Sequence, residues 1–268
     1  MTTGSLPATA ALARLRGVLL DIDGTITTAG RLSAAAYSAL ERLQAAGLWV
    51  IPVTGRPAGW CDLIARFWPV TAVVGENGAL YFRYDHGNRR MIRGFARSDA
   101  ERAQDRERLR AIGAEVLRAV PGTAIAADQL YRDTDLAIDY CEDVPPLLPE
   151  AVHRIHALLT ARGLTAKVSS IHVNAWYGTH DKLSMTRRLM REQFGVDLDA
   201  EREAFAFIGD SPNDEPMFAY FPHSFAVANI APFVDELQHP PACVIEAEEG
   251  EGFVLFADRV LAGRREAA

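Results

Sequence analysis

The sequence predicts an α/β fold, a doubly wound parallel sheet with a smaller α+β domain inserted into it, and three observations carry that prediction. Short apolar runs alternate with amphipathic stretches over the first third of the chain. The alternation stops after Gly78 and resumes near Lys182. The runs close in loops rich in Asp, Asn, Gly and Thr, the residues that end strands and begin helices. A chain of 268 residues suits one large domain plus a smaller one.

Met1 to Leu15 reads as a loose lead without the basic start and apolar core of a secretion signal, which leaves a cytoplasmic location as the default. Gly17 to Leu20 is too short an apolar run for a helix and suits a buried strand, ending in Asp21-Ile22-Asp23-Gly24-Thr25. Ser33 to Ala46 carries Ala36, Leu40 and Leu43 at helical spacing, with Ser33 as cap and Gly47 as stop. Leu48 to Val53 is a second strand leading into Thr54-Gly55-Arg56-Pro57, and Pro57 suits the first turn of a helix running to about Phe67. Thr71 to Val74 makes a third strand, closed by Gly75-Glu76-Asn77-Gly78. Strands and helices alternating through short loops imply right-handed crossovers, with ligands collecting at the carboxyl ends of the strands.

Ala79 to Tyr84 and Arg89 to Phe95 flank a turn-rich tetrapeptide and read as a hairpin. A charged helix from Ser98 to Ala119, extended stretches at 123–126 and 134–140, a helix from Pro149 to about Arg162, and strands at 165–169 and 171–177 then make an α+β unit with an antiparallel sheet. The inserted unit is placed at 82–178, and residues 1–81 and 179–268 form the discontinuous larger domain. The parallel pattern resumes with a helix from Lys182 to Phe194 and a strand, 204–208, that ends in Gly209-Asp210-Ser211-Pro212-Asn213-Asp214. Strands at 224–228 and 243–245 and a helix from Gly252 to Leu261 complete it, and Glu246 to Glu251 reads as a solvated loop.

Composition removes several function classes. A net charge of -7 argues against a general nucleic-acid binder, and no apolar run is long enough to cross a bilayer. The three cysteines, Cys61, Cys141 and Cys243, are odd in number and widely spaced, which fits neither a disulfide framework nor a zinc cluster. Arg89, Arg90, Arg93 and Arg97 read as a solvated basic face.

Polar clusters fall where loops meet strand ends or helix starts in the larger domain: Asp21 with Asp23, Thr54 with Gly55, Lys182, and Asp210 with Asn213 and Asp214. Where the strand breaks at Gly24 the two carboxylates can diverge, so that one attacks while the other handles protons. The chemistry that wants this set is phosphoryl transfer through an aspartyl intermediate. An all-oxygen set of Asp ligands suits Mg²⁺, the lysine offsets remaining charge, and the Thr54 hydroxyl and Gly55 amide can hydrogen-bond phosphate oxygens.

With these motifs the chain resembles haloacid-dehalogenase-like (HAD) superfamily phosphatases, in the branch with a large cap between the second and third motifs, similar to Cof-type and sugar-phosphate phosphatases. The resemblance implies a Rossmann-like core with Asp21 as nucleophile, Asp23 as general acid/base, Thr54 as phosphate ligand and Lys182 as the basic third motif. It implies Mg²⁺ bound through the side chains of Asp21 and Asp210 and the backbone carbonyl of Asp23, with Asp214 as acidic companion. Asn213 is expected near the phosphate and Asn77 near the cap junction. The stretch His180-Asp181-Lys182-Leu183-Ser184 lacks the Gly that usually follows the lysine, and Lys167 is the runner-up.

In the cap, alternation over 171–177 sets His172, Asn174 and Trp176 on one face, expected to roof the substrate, and Ile171, Val173 and Ala175 on the other. The expected activity is Mg²⁺-dependent hydrolysis of a small phosphorylated metabolite, most simply a sugar phosphate, by a monomer or homodimer without nucleic-acid or membrane partners. A sugar phosphomutase and a non-catalytic phosphometabolite sensor are the alternatives. A dehalogenase is disfavoured because it has no use for Asp23 or the metal ligands.

Overall fold

In the computed structural model, which describes residues 9–266, the chain opens with α1 (Thr9–Ala13), β1 (Gly17–Leu20) and a short hairpin of β2 (Thr27–Thr28) and β3 (Arg31–Leu32). Next come α2 (Ala34–Ala45), β4 (Trp49–Pro52), α3 (Ala58–Phe67), β5 (Val73–Gly75) and a second hairpin, β6 (Leu80–Asp85) with β7 (Arg90–Phe95). The middle of the chain forms α4 (Asp99–Ala119), β8 (Ala124–Ile125), β9 (Asp135–Asp139), α5 (Pro149–Ala161), β10 (Thr165–Val168) and β11 (His172–Trp176). It returns through α6 (Lys182–Phe194), α7 (Leu198–Glu201), β12 (Phe205–Gly209), α8 (Glu215–Tyr220), β13 (His223–Ala226), β14 (Cys243–Val244) and α9 (Glu249–Glu266).

The five-stranded sheet is parallel, in the order β14-β13-β12-β1-β4, so β1 lies inside it with later strands on both sides. Every residue of β1 and β12 is buried, as expected of strands covered on both faces. Their side chains divide by parity. Val18, Leu20, Val50 and Ile208 pack with Leu40, Leu43, Phe253 and Phe256 of α2 and α9, while Leu19, Ile51 and Phe207 pack with Met185, Leu189 and Met217 of α6 and α8. The expected α/β architecture is therefore present.

A second, antiparallel sheet, in the order β10-β11-β9-β8, lies in the inserted unit. It has its own core, in which Leu136, Ile138, Val173 and Ala175 meet Leu109 and Val116 of α4 and Ile155 and Leu159 of α5. The hairpin β6–β7 belongs elsewhere: β6 pairs with β5, Val74 bridges Val53, and Leu80 and Phe82 join the core of the large sheet. We therefore propose that the inserted unit starts after Phe95 and not at 82. Sequence patterning gives no sign of this, because a hairpin looks the same whichever core receives it.

Two smaller readings change at the ends of the chain. Of the expected loose lead, residues 1–8 lie outside the described part, whereas Thr9–Ala13 is helical and Leu12 and Leu15 are buried. Glu249 and Glu251 form the first turn of α9, where the helix dipole favours acidic residues, and not a solvated loop. No helix of the described residues is long and apolar enough to cross a membrane. The three cysteines are free, Cys61 and Cys243 being buried.

The two sheets are joined at Glu76, which is fully buried and has a left-handed φ of 45°. Its carboxylate accepts hydrogen bonds from Ala58 N (2.9 Å) on α3, and from Asp133 N (2.8 Å), Thr134 N (2.7 Å) and the Thr134 hydroxyl in the inserted unit. Burial pushes Glu76 up to about 7, with Asp135 adding to the shift and Thr134 and Arg132 opposing it. Replacement by Gln puts an amide NH₂ where an acceptor oxygen stands, so a buried donor loses its partner. Glu76→Gln is expected to destabilise the chain by about 1–3 kcal/mol, read from urea unfolding followed by circular dichroism.

Candidate active site

The register of the sheet brings the loops together. Leu20 lies opposite Ile208 on one side and Pro52 on the other, so the residues that follow β1 face those that follow β12 and β4. Asp21 N donates to Ile208 O (2.9 Å), which carries the pairing one residue further. Beyond it Gly24 turns the chain at φ 71°, and a Cβ there would stand 2.3 Å from Asp210 Oδ2, so only glycine lets the two loops approach. Thr25 donates to Asp210 Oδ1 (3.3 Å), and Asn229 Nδ2 donates both to Gly24 O (3.0 Å) and to Asp210 Oδ2 (3.2 Å).

Asp21, Asp210 and Asp214 are buried, with carboxylate oxygens within 4.8 Å of one another. Lys182 Nζ lies 2.7 Å from Asp214 Oδ1 and 3.2 Å from Asp21 Oδ1. Its position at the start of α6 is fixed by a capping box: Asp181 accepts from Ser184 N (2.7 Å), while Ser184 Oγ accepts from Asp181 N (3.0 Å). The stretch without that glycine still starts a capped helix, and Lys182, not Lys167, lies beside Asp21 and Asp214.

One ammonium does not neutralise these carboxylates. Burial, opposed by Lys182 and reinforced by Asp214 and Asp23, pushes Asp21 up to about 7. Burial also raises Asp210 well above the usual carboxylate range, with Asp21 and Asp214 adding to it. Burial works against the charge of Lys182, but Asp21 and Asp214 hold its pKa above the ordinary lysine value. A compact, all-oxygen, net-negative donor set of this kind fits a hard divalent cation. Asp214 spends Oδ1 on Lys182 (2.7 Å) and Oδ2 on the amides of Asp210 (3.1 Å) and Ser211 (3.4 Å), whereas Asp210 takes only the longer contacts from Thr25 (3.3 Å) and Asn229 (3.2 Å) and Asp21 only that from Lys182 (3.2 Å) among side chains, so Asp21 and Asp210 are the less committed carboxylates of the three.

Asp23 diverges from Asp21, as the break at Gly24 predicts. Its side chain is gripped by Arg56, whose Nε lies 2.9 Å from Oδ2 and whose Nη2 lies 2.7 Å from Oδ1. Arg56 also contacts Glu142 Oε1 (2.7 Å) and Asp128 (3.5 Å) of the inserted unit, and its guanidinium stacks on Trp60, 4.4 Å from the ring centroid. Burial opposes its charge, yet Asp23 and Glu142 hold its pKa above the ordinary arginine value. Glu142 continues the chain of contacts, with Oε2 2.8 Å from His172 Nε2. Burial disfavours the Glu142 carboxylate, but His172 and Arg56 bring it down to about 2.

Thr54 is fully buried, and its Oγ1 accepts from Arg56 N (3.1 Å), which leaves the hydroxyl proton to donate elsewhere. Asn77 lies against Gly55, and its buried Nδ2 has no acceptor among the described residues. Asn213, Gly55, His172 and Asn174 border the chamber over Asp21 and Asp23, a cavity of about 20 Å³ with room for one water. Asn174 Nδ2 donates to Asp135 (2.9 Å) and is partly committed to the inserted sheet. Trp176 stands apart: it borders a neighbouring cleft with Asn77, His180 and Lys182, donates Nε1 to His180 O (3.2 Å), and stacks on the His180 ring.

The sequence-predicted core residues therefore converge, His172 and Asn174 roof them, and Trp176 does not reach the chamber. Arg56, Glu142 and Asn229 were not foreseen. Arg56 stands beside the Thr54-Gly55 pair and Asn229 just past a strand end, positions that do carry a signal, whereas Glu142 comes from an irregular loop that carries none. Ionised Glu142 contributes stability that is fully present above its unfolded value of 4.5 and is lost as pH falls toward its folded value of about 2. The stability advantage of the unmodified chain over Glu142→Gln is expected to be largest at neutral pH and to shrink between about pH 5 and about pH 3, measured by urea unfolding.

Comparison with known proteins gives a consistent picture. Residues 18–104 match the family model of haloacid dehalogenase-like hydrolases. The chain is 29% identical over 249 residues to a phosphoglycolate phosphatase of Methanospirillum hungatei, covering 90% of this chain and 94% of the relative. It is 27% identical over 249 residues to a phosphoglycolate phosphatase of Pyrobaculum neutrophilum, covering 92% and 96%. Its fold is similar to the C-terminal domain of C. albicans trehalose-6-phosphate phosphatase, with a TM-score of 0.69 at 14% identity, covering 97% of this chain and 99% of that one.

Proposed function

We propose that this chain, a haloacid dehalogenase-like hydrolase, is a Mg²⁺-dependent phosphatase of small phosphomonoesters that works through an aspartyl phosphate on Asp21. The observation that carries the reading is the division of the two carboxylates: Asp21 lies 3.2 Å from the Lys182 ammonium inside the acidic cluster, while Asp23 turns away to Arg56.

In this reading an Asp21 carboxylate oxygen attacks phosphorus, and the bond from phosphorus to the ester oxygen breaks. Asp23 gives its proton to the departing alkoxide and later takes one from the water that cleaves the aspartyl phosphate, releasing inorganic phosphate and restoring both residues. Lys182 offsets charge beside the nucleophile, and the Thr54 hydroxyl, the Gly55 amide and Asn77 Nδ2 are donors available to phosphate oxygens. A Mg²⁺ ion held by Asp21 and Asp210 would neutralise the charge that a phosphate dianion brings to this cluster. The inserted unit, closed over the site through Glu142, His172 and Asn174, excludes water and macromolecules and has to open for turnover. The two relatives are named for phosphoglycolate, and sugar phosphates suit the amide and imidazole groups of the roof, so both classes belong in the first substrate screen.

Asp21→Asn is expected to lower kcat/KM for phosphate release by more than about a thousandfold, about 4 kcal/mol of transition-state stabilisation. A fully active variant would overturn the mechanism. EDTA is expected to abolish turnover and added Mg²⁺ to restore it, with the same ion raising the melting temperature of the unmodified chain more than that of Asp210→Asn.

A further inference from the structure

The chamber over Asp21 is too small for a leaving group, at about 20 Å³, yet Asp23 and Arg56 also border a groove of about 420 Å³ on their other side. The Asp23–Arg56 ion pair is the partition between the two spaces. The groove lies between α3, the β2–β3 hairpin and the inserted unit, and its walls are chiefly Leu32, Trp60, Leu63, Trp68 and Tyr131. Gly59 lets Tyr131 close one end: a Cβ at Gly59 would stand 3.0 Å from Tyr131 Cβ.

Resting on the phosphatase reading, we propose that this groove is the leaving-group subsite and that it takes an uncharged, ring-bearing leaving group of sugar size or larger. In-line displacement puts the attacking and leaving oxygens on opposite sides of phosphorus. With Asp21 attacking and Asp23 protonating, the leaving oxygen sits at Asp23 and the rest of the ester continues away from Asp21, which is where the groove opens. Its volume falls within the range of small-molecule sites, and Trp60, Trp68 and Tyr131 give it an aromatic lining suited to the C–H surface of a ring.

Charge argues against a small acid there. Arg56 is the guanidinium at the groove, and it is already shared among Asp23, Glu142 and Asp128. A carboxylate on the leaving group would meet the Asp23 carboxylate with no free cation to pair with among the lining residues. The groove thus assigns specificity to α3 and Tyr131, where sequence reasoning looked only to the β11 roof.

The test measures Mg²⁺-dependent phosphate release from a hexose 6-phosphate and from 2-phosphoglycolate by the full chain, by Leu63→Asp and by Leu63→Met. Leu63 is 52% exposed, so its replacement leaves the core intact. The unmodified chain is expected to favour the hexose ester by at least about tenfold in kcat/KM, Leu63→Asp to lower that ratio by at least about tenfold, and Leu63→Met to keep it within about threefold. A preference for 2-phosphoglycolate, or a ratio that Leu63→Asp leaves unchanged while turnover persists, overturns the subsite alone. Absence of turnover with either ester in the unmodified chain overturns the phosphatase reading and the subsite with it. Light scattering closes the remaining route: a dimer that Leu63→Asp splits, with the ratio unchanged, assigns the groove to a second copy of the chain and overturns the proposal.

Discussion

Lys182 holds its ammonium 2.7 Å from Asp214 and 3.2 Å from Asp21 where water does not reach, and there each charge is felt several times more strongly than in bulk solvent. Much of the surrounding architecture serves to keep this arrangement intact. Asp181 and Ser184 cap α6 so that the lysine starts the helix, Gly24 turns tightly enough for Asp210 to approach, and Asn229 ties the two loops together. The parallel sheet supplies the rest, because strands in register deliver their terminal loops to one edge. Burying so many acidic groups costs stability, and Lys182 offsets only part of that cost.

Arg56 is the second node. It orients Asp23, reaches Glu142 and Asp128 across to the inserted unit, and lies on Trp60 of α3. Arg132 answers it from the other side, donating to Gly55 O (2.9 Å) while paired with Asp128 and Asp135. Both guanidiniums are nearly buried, so moving the inserted unit away from the large sheet exposes them, parts Arg56 from Glu142 and Asp128, and breaks the Arg132 hydrogen bond to Gly55. Opening therefore has an electrostatic cost, and Asp23 is coupled to it directly through Arg56.

The parts of this picture that were legible in the sequence are those fixed by local chemistry. An Asp-x-Asp-Gly-Thr loop after a buried strand, a Thr-Gly pair after the next, and a Gly-Asp motif after a third are short-range signals, and the parallel register converts them into one site. The lysine was legible because it starts a helix. The assignment of the hairpin at 80–95 was not, since its apolar alternation fits either core and only the pairing of β6 with β5 decides. Glu142 and Tyr131 were also beyond reach: Glu142 lies in irregular chain and Tyr131 ends a short 3-10 turn, and their contacts with Arg56 and Gly59 join residues roughly 70–90 positions apart. Trp176 misled for a related reason. Alternation identifies the face of a strand, but it does not say over which neighbour the far end of that face will lie.

Two spaces that share one ion pair give the site a particular economy of motion. The chamber beside Asp21 is nearly filled, with room for one water, whereas the groove that Asp23 and Arg56 also border is chiefly apolar and open to solvent. A ligand reaching from one to the other has to pass between Asp23 and Arg56 or displace the guanidinium, which is held by Glu142 and Trp60 as well. Displacing it would leave Asp23 without its guanidinium partner. The same arginine thus fixes the orientation of Asp23 and ties that carboxylate to the inserted unit.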